Sequence, residues 1–358
     1  MEIFNLENFL KSEPKYRLEQ IKRAVFVDLI ENWDEATALP KELRDKLNQE
    51  CPLDIEAKVF ESKDKKTIKA LIFLEDGERI EGVLMRYEKD KSRNTACVSS
   101  QVGCVLGCGF CATGKMGFKR NLSVDEIVKQ ILFWARWLKN NETLRQAQGE
   151  NKINNLVFMG MGEPFLNYEN VMSAIKILND QKGFNLGARH FSISTAGIVD
   201  GIKKLADEPL QINLAISLHA PDDELRSKLM PINKKYPIKK IMEAVDAYIK
   251  KTNRKVMFEY IMIDNINDSD KQAKELAKLM KRSFCRIRQA QCKFVNLIPC
   301  NRVGDFKPSP QEKIEKFKKI LKEAGVQVSQ RYSFGQDIQA ACGQLAGKAA
   351  SNRIIDIE

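Results

Sequence analysis

From Cys97 onward the sequence alternates between two-residue and helical apolar periods, and this alternation restricts the fold more than any other feature. Strand-like runs are NNLVFMG (154–160), HFSISTAG (190–197), INLAISLH (212–219), KVMFEYIMI (255–263), KFVNLIP (293–299) and VQVSQRYSF (326–334). Helix-like segments lie between and before them, near 123–138, 169–180, 198–207, 238–251, 269–283 and 310–323. Ser123 followed by Glu126 reads as a capping box, and Pro310 reads as the first residue of its helix. Strands separated by helices build parallel βα units, so the expected class is α/β. About six units plus the cysteine segment suggest an open or complete barrel, with its chemistry at the C-terminal ends of the strands.

Upstream the pattern differs. Residues 1–52 read as a small helical accessory domain, with Leu18, Ile21, Val25 and Leu29 at helical spacing and Pro14 and Pro40 as punctuation. Lys15, Arg17, Lys22 and Arg23 give its first long helix a basic face, which suits solvent or RNA. Residues 53–90 read as a β-meander, with the strands IEAKVF, TIKALIFL and RIEGVLMRY and a hairpin at Asp76–Gly77. Residues 91–347 form the barrel unit and 348–358 a tail. YEKDKSRN (87–94) reads as a loop and NNETLRQAQGENKINN (140–155) as a surface insertion.

The net charge is +11, which favours an anionic partner, most often nucleic acid. No run approaches the roughly 18 apolar residues that a membrane span needs. The start, MEIFNLENF, lacks the basic-then-apolar order of a secretory signal. Nine irregularly spaced cysteines then suggest a reducing cytoplasm, where cysteines serve as ligands or catalysts more often than as structural disulfides.

Three of them stand as C-x3-C-x2-C in GCVLGCGFCATG: Cys104, Cys108 and Cys111. Three thiolates on one glycine-rich loop hold an iron–sulfur cluster and leave one iron open for chemistry. A structural zinc site is the alternative, but zinc loops usually come as paired C-x2-C units. Only Cys108 and Cys111 make such a pair. Cys51, Cys97, Cys285, Cys292, Cys300 and Cys342 are scattered, and His190 and His219 have no ligand partner at close spacing. The spacing favours the cluster.

The strand ends add polar groups. MGEP (161–164) follows the first run, Ser-Thr-Ala-Gly ends the second, Ser-Leu-His ends the third, and Asn296 lies in the fifth. Gly160 and Gly162 allow close backbone approach to a ligand, and Glu163 suits an ammonium group. Each alone is an ordinary strand-to-helix turn; together, after a three-cysteine loop, they carry more weight. Cys97 lies just upstream in CVSSQVGC, and Cys342 lies among small residues in QDIQAACGQL. A lone cysteine is most often a buried structural one. Glu81 shares a strand face with Val83 and Met85. Among apolar neighbours its pKa would rise and it could act as a base, although an exposed-face glutamate is the commoner case.

CVSSQVGCVLGCGFCATGKMGFKRNL, FMGMGEPFLNYENV, SISTAGIVDGI, AISLHAPDDELRSKLMPIN and DIQAACGQL, in this order, resemble the radical S-adenosylmethionine (SAM) RNA adenine C2-methyltransferases, the RlmN family. The resemblance runs from about residue 80 to 347. It implies a partial (β/α)6 barrel in which Cys104, Cys108 and Cys111 bind a 4Fe–4S cluster whose open iron chelates SAM. Gly162, Glu163, Ser194, Ser217, Leu218, His219 and Asn296 match the family's cofactor-binding positions. Cys342 matches the cysteine that one SAM methylates. A second SAM yields the 5′-deoxyadenosyl radical that takes hydrogen from this methyl group, which then adds to the adenine. Glu81 resembles the family's proton acceptor, although the extra residues in YEKDKSRN lengthen its distance to Cys97. Cys97 resembles the cysteine that releases product through a transient disulfide with Cys342.

The implied substrate is adenine 2503 of 23S rRNA and, in some members, adenine 37 of tRNA. Partners implied with it are a flavodoxin- or ferredoxin-type reductant and no membrane, and the enzyme would be a monomer. Adenine C2 is electrophilic and has no acidic hydrogen, so a radical route solves a real problem. Two alternatives stand: C8 methylation by the same machinery, as in the relative Cfr, and a non-catalytic zinc-dependent RNA-binding protein.

Overall fold

Prolines set where several helices begin. In this computed structural model, which describes residues 13–87, 93–141, 152–281, 292–331, 334–347 and the backbone of 354–355, helices α1 (Lys15–Phe26) and α2 (Lys41–Glu50) each start directly after a proline at the N-cap, Pro14 and Pro40. The ring fixes φ and the missing N–H would have been unpaired there in any case.

The meander follows as β1 (Ala57–Glu61), β2 (Thr67–Phe73) and β3 (Arg79–Tyr87), all antiparallel. Its second turn is the expected Asp76–Gly77, with Gly77 at φ +81° and its N–H on the Leu74 carbonyl. β4 (Arg93–Cys97) pairs antiparallel with β3. A small ribbon of β5 (Gln101–Gly103) and β6 (Phe118–Asn121) flanks the cysteine loop and the short helix α3 (Ala112–Met116). Then come α4 (Val124–Asn141), β7 (Ile153–Phe158), α5 (Tyr168–Asn179), β8 (Phe191–Thr195), α6 (Val199–Asp207), β9 (Asn213–Ser217), α7 (Asp223–Leu229), α8 (Ile238–Thr252), β10 (Val256–Met262), α9 (Asp270–Lys281), β11 (Lys293–Pro299), α10 (Gln311–Glu323) and β12 (Gln327–Gln330).

All large strands belong to one sheet, in the order β12-β11-β10-β9-β8-β7-β4-β3-β2-β1, closed at its far edge by β13 (Ile354–Ile355), which pairs with Val59 and Phe60. From β4 to β12 every pairing is parallel. The meander therefore continues the parallel sheet instead of standing beside it. The sheet curls: past β12, Phe334 meets Tyr87 of β3 edge-on, at 5.5 Å between ring centroids.

Local signals hold where they are short-range. Ser123 Oγ accepts the Glu126 N–H and Glu126 Oε2 accepts the Ser123 N–H, so α4 has its capping box. Pro310 is extended at the N-cap of α10, not its first helical residue as expected. α7, absent from the sequence reading, is capped by Asp222, whose carboxylate accepts the Leu225 N–H. One apolar core runs from Ile21 in α1 to Leu345, just past Cys342, and takes in residues of each parallel strand from β4 to β11. A second, smaller apolar cluster lies at their C-terminal ends, where Leu106, Phe110, Leu229, Met230 and Ile261 surround the three cysteines of the loop. Most of YEKDKSRN, residues 142–151 of the insertion, Cys285 and most of the tail lie outside the described residues.

Candidate active site

One cavity opens at the C-terminal ends of the parallel strands. Cys97, Cys104, Cys108, Cys111, Gly162, Glu163, Ser194, Ser217, His219 and Cys342 all line it. With Gly160, eleven sequence-nominated residues thus converge from a loop, four strand ends and a distant C-terminal segment. Leu218, Asn296 and Glu81 do not line it.

The cysteine loop forms the apolar wall. Gly109 N–H donates to the Leu229 carbonyl of α7, which holds the loop against that helix. Burial pushes the Cys104 thiol up to about 12 and raises Cys108 further, with Cys111 and Cys104 as additional causes for Cys108. Such thiols ionise only when a cation compensates them, and iron would do so. Among the described residues no three His, Cys, Asp or Glu side chains converge on a single metal position. Behind the wall lies Arg226, fully buried. It donates to the carbonyls of Ala196, Ser217, Leu218 and Tyr236 and to Asn233 Oδ1, and forms no ion pair among the described residues. An uncompensated buried cation close to Cys108 calls for an anion, and a thiolate-bound cluster is one.

The wall opposite is polar. Glu163 Oε1 accepts the Phe165 N–H (3.0 Å) and Oε2 the Ala196 N–H (2.7 Å). Burial raises its pKa to about 7 and these bonds oppose the rise. Ser194 Oγ and Ser217 Oγ stand 3.3 Å apart. His219, at φ +60°, accepts the Ile261 N–H on Nδ1 (3.1 Å), so its neutral ring carries the proton on Nε2. Burial and then Arg226 depress its pKa to about 3, which keeps it neutral. These side chains offer hydroxyl, N–H and carboxylate groups to an amino-acid and ribose-bearing cofactor, and so fit SAM.

The structure adds detail to four of the expectations. Gly160 and Gly162 are needed by the protein itself. A Cβ on Gly160 would lie 2.6 Å from the Val98 carbonyl, and one on Gly162, at φ +98°, 2.5 Å from Gln101 Cβ. Asn296 is the register partner of Glu259 on the same face of the sheet, donating to Glu259 Oε2 (3.0 Å) and accepting from Ser329 Oγ (2.9 Å). Leu218 is wholly buried, with its N–H on the Glu259 carbonyl. Glu81 is not a lone carboxylate among apolar groups: it is buried in an ion pair with Lys69 (3.0 Å) and accepts the Ala346 N–H (2.8 Å).

That last bond belongs to a set that fixes the Cys342 segment. Ala112 N–H donates to the Gly343 carbonyl, Thr113 Oγ1 to the Leu345 carbonyl, and Asn301 Nδ2 to the Cys342 carbonyl. Cys342 is exposed toward the opening while Cys97 is buried. Burial, then Cys342, pushes the Cys97 thiol up to about 12, and Arg331 works against them. Both cysteines are free thiols. Arg331 and Glu259 line the same cavity and were missed in the sequence. For Arg331 the signal was a charged residue directly after the C-terminal end of a barrel strand; Glu259, in the middle of β10, had none.

Residues 98–277 match the family model of the radical SAM superfamily. A Dictyoglomus thermophilum protein named "Probable dual-specificity RNA methyltransferase RlmN" is 47% identical over 93% of this chain and 91% of its own length. A Bacillus cereus protein of the same name is 44% identical over 97% and 92%. The crystal structure of a radical SAM methyltransferase from Sphaerobacter thermophilus superposes with a TM-score of 0.88 at 42% identity, covering 97% of this chain and 98% of that one. Near-full-length identity at this level, on a fold that gathers the family's cysteines in one cavity, leaves one conclusion: the chain belongs to the RlmN family of radical SAM RNA methyltransferases.

Proposed function

We propose that this protein methylates C2 of an adenine in RNA, with both 23S rRNA and tRNA as substrates, using a 4Fe–4S cluster and two molecules of SAM per turnover. The observation that carries this reading is the meeting of Cys97 and Cys342, far apart in sequence, in the cavity that the cluster cysteines line. A cluster alone would make a generic radical source. A pair of thiols beside it supplies a place to hold a methyl group and a second thiol to release the product.

When bound, the cluster and SAM supply the methyl group and the radical. The chain's own residues position and exclude. Cys104, Cys108 and Cys111 would hold the cluster. Ser194, Ser217, His219 Nε2–H and Glu163 would hold the cofactor's polar groups. The backbone bonds at Cys342, Gly343, Leu345 and Ala346 fix the carrier sulfur at the rim, where RNA can reach it. Cys97, buried and protonated at neutral pH, is held in reserve beneath it. Glu81, locked to Lys69, supports this segment in place of acting as a base on the substrate.

The net charge of +11 supports a phosphate-rich partner. Among the described residues no helix is long and apolar enough to cross a membrane. The same reading places a monomer in the cytoplasm, reduced by a flavodoxin- or ferredoxin-type donor, with residues 1–52 as an accessory to the barrel. Nucleoside mass spectrometry on reacted rRNA and tRNA tests it. The expected product is 2-methyladenosine in both; 8-methyladenosine in its place would overturn the assignment.

A further inference from the structure

Glu259 lies in the middle of β10 and is only 2% exposed, yet it lines the cavity. Its Oε2 accepts from Asn296 Nδ2 (3.0 Å), and its Oε1, itself buried, has no partner among the described residues. Arg331 faces the carboxyl but closes no ion pair with it. Glu259 stands in a polar row that crosses the sheet: Ser217 of β9, Glu259, Asn296 of β11 and Ser329 of β12 are successive register partners. Ser329 Oγ donates to Asn296 Oδ1 and Asn296 donates to Glu259, whereas Ser217 Oγ bonds to Ser194 Oγ on the other side. The row is therefore open at one place, between Ser217 and Glu259, and Oε1 is the acceptor left over. An acceptor desolvated this far is costly unless a donor completes it.

We propose that Glu259 is a cofactor-binding residue whose Oε1 accepts a hydrogen bond from a ribose hydroxyl of SAM. Its own carbonyl accepts the N–H groups of Leu218 (3.0 Å) and His219 (3.3 Å), so Glu259 is built into the turn that presents Ser217 and His219 to the cavity. Ile261, two residues on and on the same face, packs in the apolar cluster around the loop cysteines. Glu259 thus lies one pleat deeper in the barrel than that wall, while Cys342 is exposed at the opening. An RNA base brought to Cys342 comes from the solvent side; a cofactor held by Ser194 and Ser217 is already level with Glu259. The cofactor's ammonium group has Glu163, on a different strand end. A ribose offers a hydroxyl pair, and a carboxylate accepting from it is a recurrent way to hold a nucleoside. The adenine amino group and an RNA base are the competing donors. The inference rests on SAM as the cofactor and not on which adenine carbon is methylated.

The test is equilibrium dialysis on cluster-loaded protein without reductant, using S-adenosylhomocysteine and its 2′-deoxy and 3′-deoxy forms as probes. Wild-type protein should bind one deoxy form on the order of tenfold more weakly than the parent, the worth of one hydrogen bond to a charged group. Glu259→Ala should weaken the parent by a similar factor and no longer distinguish it from that deoxy form. Glu259→Gln, which keeps an acceptor, should retain most of the discrimination. Discrimination that survives undiminished in Glu259→Ala would overturn the proposal. So would an alanine variant that binds the three probes as wild type does and loses affinity for RNA instead. If the alanine variant does not fold, Ser217→Ala decides: with the neighbouring hydroxyl gone the wild-type discrimination should persist, and its disappearance would assign the ribose to Ser217 and overturn the proposal. Discrimination as expected in a protein that forms no 2-methyladenosine would sink the methylation reading and leave this one standing.

Discussion

Cys104, Cys108 and Cys111 share a cavity with Cys97 and Cys342, yet the two sets have different surroundings. The trio stands among Leu106, Phe110, Leu229 and Met230, and the cation behind it, Arg226, spends its donors on carbonyls and an amide. The pair stands beside Arg331, whose side-chain contacts are sulfurs. An apolar wall suits thiolates that iron neutralises. A rim with a guanidinium beside it suits a sulfur that no metal holds. Cysteine function here follows from what surrounds each thiol.

The largest effect expected from breaking one side only is at Lys69. Lys69→Met strands Glu81 as an uncompensated buried carboxylate and should cost about 3–5 kcal/mol. It also loosens the Cys342 segment, which hangs on Glu81 through Ala346. Denaturant titration should show the loss, and the double change to Lys69→Met with Glu81→Leu should recover most of it. The folded fraction should still load its cluster, because the cysteine loop is also held by Gly109 on the Leu229 carbonyl. A Lys69→Met protein as stable as wild type would break the comparison.

A smaller effect sharpens the trio's side. Glu163 has a folded pKa near 7 against an ordinary 4.5, so the folded chain binds the extra proton. Stability contributed by its neutral form is present below about 4.5 and is lost as pH rises through about 7. For the cluster-free chain this amounts to roughly 3 kcal/mol across that window. Glu163→Gln, neutral at every pH, should flatten the dependence of Tm between pH 5 and pH 8; an unflattened curve would show that Glu163 ionises freely in the fold.

Much of this could be read in the chain. The βα alternation, the capping box at Ser123 and the hairpin at Asp76–Gly77 depend on neighbours in sequence, and all are present. The cysteine loop and Cys342 could be nominated from spacing and company. What stayed hidden depends on pairing across the sheet. Leu71 is the register partner of Glu81, which puts Lys69 diagonally beside it on the same face. No local pattern announces that ion pair. β10 and β11 are buried along most of their length, so no period in the sequence could say that Glu259 faces the cavity with Asn296 as its bonded neighbour on the next strand. Arg331 looked like one more charge on a short edge strand. Only the curl that brings β12 round to β3 turns it toward the thiols.

The central claim is that two sets of cysteines divide the labour, and one paired measurement tests it. Cys108→Ala and Cys342→Ala are each reconstituted anaerobically with iron and sulfide, and both cluster absorption and RNA methylation are read. Cys108→Ala should lose both. Cys342→Ala should keep the broad visible absorption of the cluster at wild-type intensity while forming no methyladenosine. A Cys342→Ala protein that methylates RNA, or one that cannot hold its cluster, would contradict the account.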